Sequence, residues 1–291
     1  MSEVAAKSGI KGFLDELTPT LGSESSSYQV RYALKLNQER IDLLPLLGSL
    51  ISLEFTGNIR CSGCGKAIKK IFHSGVCFVC SQKLARCDLC IVRPERCHFH
   101  LGTCREPEWG NQHCMQTHCV YLANSSGIKV GITRLKNIPT RWMDQGAVQA
   151  LPIFYVSSRR MAGLIEVAIA KHIPDKTNWR MMLKNEVSEC DLNSYRDQLF
   201  PLIQDELAEI SAMGIGTFEF LNDTSENTRP KNYRFEYPAL EYPTKINSLS
   251  FDKTPLIQGK LMGIKGQYLI LDSGVLNLGK FEGYEIEVLQ I

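Results

Sequence analysis

Apolar and polar side chains alternate with a period of two near the start of the chain. "SYQVRYALKL" (27–36) and "LISLEFTG" (50–57) read as half-buried strands, with "LPLLGS" between them. Residues 58–118 lose that rhythm and carry no apolar stripe able to form a core. From 119 to 190 the pattern reads β-β-α-β-α-α. A hairpin in "CVYLANSSGIKVGIT" leads to a short helix, with Pro139 near its first turn and Gly146 just past its end. "ALPIFYV" is a strand. "SSRRMAGLIEVAIAKHI" is a helix behind a serine cap, with Met161, Leu164, Ile165, Ala168 and Ile169 on one stripe. "TNWRMMLKNEV" continues as a further helix, and residues 191–213 carry a helical pattern bent at Pro201. "LNDTSENTRPKNYRFEYPALEYPTKINS" reads as linker or loop. Residues 254–291 alternate again, with "DSG" and several glycines marking turns, as in a small antiparallel barrel or sheet that the N-terminal strands could join.

The pattern therefore predicts an α+β multidomain chain. Its segments are a β-rich start (1–57), a cysteine-rich module (58–118), a β-β-α-β-α domain (119–190), a helix and linker (191–253) and a small β-barrel or sheet (254–291). The 291 residues are 44% hydrophobic and 22% charged, which is ordinary for a globular protein. No apolar run is long enough to cross a bilayer, and "MSEVAAKSGIKGFLDELTPT" lacks the order of a secretory signal. A cytoplasmic location and no membrane partner are the expectation.

Net charge is only +2, but it is unevenly spread. Residues 58–185 hold 19 Lys and Arg against 7 Asp and Glu, whereas the two flanks together hold 14 against 24. A basic middle calls for an anionic partner, and nucleic acid, DNA or RNA, is the first candidate.

Ten of the 11 cysteines fall between Cys61 and Cys119, which in an intracellular chain argues for metal rather than disulfides. Cys61-x-x-Cys64 and Cys77-x-x-Cys80 are two thiolate pairs of the kind that close a tetrahedron around one structural zinc, with Gly63 and Gly65 suited to the tight knuckle. Cys87-x-x-Cys90 begins a second group. Cys87, Cys90, Cys104 and Cys114 are the preferred second zinc set, in competition with Cys97, His98, His100, His113 and His118. Sites made only of thiolates leave no open position and hold a fold together. Cys119 and Cys190 read as isolated thiols.

In the hairpin, alternation puts Val120, Leu122, Ile128, Val130 and Ile132 toward a core. Tyr121, Lys129 and Gly131 fall on the other face, with the glycine keeping that face open. A lysine beside a phenol favours phenolate, which would make Tyr121 a usable base. Glu166 has only Ala162, Gly163, Ile169 and Ala170 at helical spacing, so its helix offers it no basic partner.

These residues resemble the GIY-YIG nucleases. "CVY" (Cys119–Tyr121) stands for the first motif and "KVG" (Lys129–Gly131) for the second. Arg141 in "TRWMDQ" matches the helix arginine, Glu166 in "GLIEVAIAKH" the metal-binding glutamate, and Asn178 the later asparagine, with Asn185 as alternate. The resemblance covers residues 119–185. It implies a phosphodiester hydrolase in which Glu166 holds Mg²⁺ or Mn²⁺, Tyr121 with Lys129 deprotonates water, and Arg141 clamps the phosphate. Three positions depart from that pattern: Cys119 for glycine, Lys129 for tyrosine, and Gln145 where histidine or tyrosine is common. The competing readings are a catalytically inactive nucleic-acid-binding protein and a zinc-stabilised protein-interaction module. The whole chain also resembles an uncharacterised bacterial family that carries these cysteine motifs with "GTCREPEWG" and "VGIT", a resemblance that implies no established activity.

Overall fold

Strand pairing joins the two ends of the chain. The computed structural model describes residues 9–173, 177–222 and 230–290. It divides into two units, Met1–Ser81 with Glu236–Ile291, and Gln82–Phe235. In the first unit, Ile10–Glu24 lies between Tyr28–Leu36 and Tyr284–Gln290. Tyr284–Gln290 in turn pairs with Leu50–Arg60, and that strand with Leu256–Lys265. Tyr268–Leu271 and Gly274–Asn277 continue the antiparallel order. Registers such as Leu17 opposite Leu34 and Leu53 opposite Ile257 set the alternating aliphatics side by side, and all four are buried. The reading that the N-terminal strands join the C-terminal sheet is realised here.

One buried charge interrupts this unit. Lys265 is fully buried, with the rings of Tyr237 and Tyr242 at 5.3 and 5.5 Å from its ammonium. Burial pushes the ammonium down from 10.5 to about 7. Between those two pH values the unfolded chain holds a proton that the folded chain has released, so this lysine makes stability rise with pH across that window. Lys265→Met should therefore stabilise the protein most below pH 7, with the gain shrinking toward pH 10.5. Paired thermal melts of the two chains across that range measure it, and a gain independent of pH would contradict the assignment.

The second unit opens on residues 84–106, which contain only 3-10 turns, followed by the helix Pro107–Cys114. A mixed α+β body comes next. Its central strand, His118–Asn124, is buried at every residue and lies between Ile128–Arg134 and Gln149–Val156. Phe218–Phe220 adds beyond Gln149–Val156. The helix Arg159–Ala170 starts on Ser158, whose hydroxyl accepts from the Met161 amide. Its Met161, Ile165 and Ile169 share one core with Val120, Leu122 and Val130, which the helices Leu192–Leu199 and Gln204–Ala212 complete. Tyr121 stands outside that core and meets Trp142 edge-on at 5.7 Å.

Several expectations change in detail. The helix read over "TNWRMMLKNEV" is only Trp179–Leu183, stopped where Asn185 takes a φ of +57°. The bend at Pro201 is a 3-10 turn, Phe200–Ile203. The stretch read as a linker contains strand residues, for Tyr233 pairs with Ala150; its residues 223–229 lie outside the described residues, as do residues 1–8 of the chain's opening. The boundary between units falls after Ser81, within the cysteine-rich segment read as 58–118. Among the described residues no helix is long and apolar enough to cross a membrane.

Candidate metal centre and basic cleft

Cys61, Cys64, Cys77 and Cys80 converge in the first unit, their sulfurs all within 4.8 Å of one another. The chain turns tightly there. Gly65, at φ +72°, follows the first pair and returns its amide to the Cys61 carbonyl at 2.9 Å, while Gly63 has no left-handed backbone. The Cys77 amide donates to Cys61 Sγ at 3.2 Å and the Cys80 amide to Cys77 Sγ at 3.5 Å. Burial pulls the Cys61 thiol upward, but the amides of Cys77, Cys64 and Gly63 outweigh it and bring the group down to about 6. Burial and the crowding sulfurs raise Cys80. Four thiols brought this close together suit a thiophilic cation, so this cluster could hold a structural metal ion such as zinc.

In the second unit Cys90, Cys97 and Cys114 form a buried cluster packed by Phe99 and Trp109. Cys104 lines the same small cavity. Cys97, a competing donor from spacing, belongs to this buried cluster, whereas Cys87, preferred from spacing, is half-buried and not among its buried members. The 3-10 turn Ala85–Cys87 closes with the Cys87 amide on the Leu84 carbonyl, and only the next turn carries its cysteine, Cys90, into the cluster. Cys119 is fully buried and Cys190 half-buried, each apart from both groups.

A cleft of about 430 Å³ runs along the edge strand Ile128–Arg134. Every residue from Lys129 to Arg134 lines it, so it follows the strand's edge rather than one face of the sheet. Tyr121, Lys129, Arg141 and Glu166 all reach this cleft, joined by two cations that spacing did not single out, Arg134 and Arg159. Arg159 opens the helix that carries Glu166, and Arg134 ends the strand that carries Lys129. Asn178 is not brought there. Its side chain accepts from the amides of Arg180 and Met181 as a helix cap, and its own amide donates to Ser126 Oγ at 2.8 Å.

Two local readings are corrected. Gly131 does not leave open space above the sheet, because a Cβ there would lie 2.7 Å from Tyr121 Oη. The glycine makes room for the phenol paired across from it. Nor is the phenol activated toward phenolate. Tyr121 is fully buried, and burial raises it to about 12. The cation that acts against burial is Arg141, and Glu166 pushes the phenol further up. Its hydroxyl donates to Gln145 Oε1 at 3.1 Å. Arg134 is lowered, first by burial and then by Arg159, the mark of like charges crowded in one place. An anion relieves such crowding.

A family model described as "Protein of unknown function (DUF2797)" matches residues 48–286. Comparison with curated proteins and with solved structures gives no match.

Proposed function

This chain belongs to the DUF2797 family of proteins of unknown function, and on that premise we propose that it binds nucleic acid by its phosphates and hydrolyses a phosphodiester in the cleft along Ile128–Arg134. The observation that carries the reading is the grouping of Lys129, Arg134, Arg141 and Arg159 around one carboxylate, Glu166. A lining with four cations and one carboxylate attracts a phosphate. The Cys61 cluster, filled with zinc, is structural in this reading.

Glu166 fits a divalent cation. It is half-buried in a cleft wide enough for waters, and Mg²⁺ or Mn²⁺ is commonly held by one or two carboxylates, waters and the substrate's own phosphate. Such an ion would neutralise charge on the scissile phosphate. The chain's own groups do the rest. Arg141, exposed at the cleft mouth, clamps two phosphate oxygens through its planar fork. Lys129 and Arg134 hold the backbone on either side of Gly131. Tyr121 stays a neutral phenol at physiological pH, with its one O–H given to Gln145 Oε1, so it positions Gln145 beside the cleft. It is not the base, and the attacking water gives its proton to solvent water in the cleft while the leaving oxygen takes one from solvent.

Fluorescence anisotropy with duplex, single-stranded and branched oligonucleotides, DNA and RNA, tests the binding half. Affinity should fall steeply with salt. Arg141→Ala and Arg134→Ala should each weaken all sequences alike and reduce the logarithmic salt slope by about 1. Salt-insensitive binding, or none at low salt, would remove the nucleic-acid reading in favour of a protein-interaction module.

A further inference from the structure

We propose that Cys90, Cys97, Cys104 and Cys114 hold a second structural metal ion, a thiophilic divalent cation such as zinc. The inference does not depend on what the cleft binds. The need for such an ion comes from the segment itself. Residues 84–106 contain only 3-10 turns, and Leu89, Val92 and Leu101 are all more than half exposed. What the segment buries is Ala85, Cys90, Pro94 and Cys97, with Pro94 lying against Gly163 of the helix and the cysteines packed by Phe99 and Trp109. A metal ion would add a staple to so small a core.

The geometry supplies one. The four cysteines line a single cavity of about 10 Å³, the scale of one small sphere. Cys90, Cys97 and Cys114 are packed in one buried cluster. Cys104 Sγ approaches over Gly110, where a Cβ would lie 2.9 Å away. Gly110 is one helical turn before Cys114, so its missing side chain is what lets the fourth sulfur in.

Most of the competing donors have contacts of their own. Asp88, Cys90 and His98 are the set in this segment whose ligand atoms all lie within 4.8 Å of one another. The Asp88 carboxylate, however, meets Arg105 Nε at 2.7 Å and accepts from the Cys90 amide at 3.1 Å, so it fixes the turn that presents Cys90. His98 Nδ1 is bonded to Thr103 Oγ1 at 2.7 Å, and His100 Nε2 lies 3.0 Å from Arg160. His113 Nδ1 is bonded to the Trp109 carbonyl and His118 Nδ1 to that of Gln116, while His118 Nε2 is buried without a hydrogen-bond partner, which makes His118 the competing fourth ligand to Cys104.

Four thiolates around a divalent ion sum to −2, and two cations stand ready for that charge. Arg159 donates to the carbonyls of Cys90 and Ile91 at 3.4 and 2.6 Å, and Arg134 feels the Cys114 sulfur. Both arginines line the cleft, as do Ile91, Val92 and Pro94. The ion would therefore fasten the wall of the cleft opposite the hairpin, and binding it would release thiol protons.

Metal analysis of the full-length protein decides the matter. The wild type should carry about two zinc ions per chain. Cys97→Ser and Cys104→Ser should each bring this to about one, as should Cys61→Ser, whereas Cys87→Ser should leave it unchanged. Where a serine variant is insoluble, Cys104→His keeps a ligand and should retain both ions. Wild-type protein produced with cobalt(II) needs no variant at all, and its thiolate-to-metal absorption should correspond to about two tetrathiolate sites. One ion per chain in the wild type, two retained in both Cys97→Ser and Cys104→Ser, or one lost from Cys87→Ser would each overturn the assignment. None of these readouts involves nucleic acid, so they fail or succeed apart from the function proposed for the cleft.

Discussion

Glu166→Gln should lower Mg²⁺- or Mn²⁺-supported phosphodiester cleavage by ~10²-fold or more while leaving metal-free oligonucleotide binding as tight as in the wild type, or tighter. The two halves of this outcome follow from one feature. Glu166 is the one acidic side chain among the residues that line the cleft, against Lys129, Arg134, Arg141 and Arg159. Glutamine keeps the shape and volume of glutamate, so the helix Arg159–Ala170 and its core contacts stay as they are. It removes the negative oxygen that a hard divalent cation requires. It also removes the charge that repels phosphate, so the bare cleft becomes more positive by one. A purely structural carboxylate would show the reverse: cleavage and binding would fall together as the cleft loosened. Plasmid, branched and single-stranded substrates assayed with each metal, beside anisotropy without added Mg²⁺ or Mn²⁺, separate the cases. Cleavage unchanged in Glu166→Gln would sink the assigned role. A wild-type chain that binds but cuts none of these substrates would retire hydrolysis and leave the binding reading on its salt slope.

The hairpin and the cysteine pairs were legible because each is a local pattern with a single physical solution. Alternation sends Val120 and Leu122 to the core and Tyr121 away from it, and the structure has that parity. A C-x-x-C turn brings its two sulfurs together whatever surrounds it, and the Cys61 group shows this. What spacing could not give was how far a residue is covered by distant chain. Tyr121 and Lys129 were placed on the correct side, but both prove buried, and that burial reverses the expected direction of the phenol's shift. Asn178 was misassigned for a related reason. An asparagine immediately before a helical run accepts from the amides two and three residues on, and nothing in sequence distance to Glu166 overrides that preference. The second cysteine group was half legible. Its members were named, but the choice between Cys87 and Cys97 depends on how irregular turns fold back, and turns without periodicity carry no register to read.

Gly163→Val should destabilise the protein by about 3 kcal/mol or more. A Cβ on Gly163 would lie 2.3 Å from the Glu95 amide nitrogen and 2.5 Å from the Pro94 carbonyl carbon. Both are backbone atoms, so no side-chain rotation relieves the clash. The helix Arg159–Ala170 therefore lies directly on the turn Pro94–Arg96, and a side chain at 163 must push the two apart. Gly163→Ala decides between this contact and intrinsic preference. Alanine in a helix interior is worth about 1 kcal/mol over glycine when nothing touches it, so a stabilised Gly163→Ala would show that the turn does not pack there. Destabilisation despite that gain is the expected result. Val167, 45% exposed on the same helix, supplies the control, since Val167→Ala should change stability by no more than ~0.5 kcal/mol. The separation also has a direction. Glu166 follows Gly163 by less than one turn, and the segment pushed away carries Cys90, Cys97 and the wall of the cleft. Gly163→Val should thus weaken cleavage and zinc retention together, a coupling that Glu166→Gln, which leaves the backbone in place, should not produce.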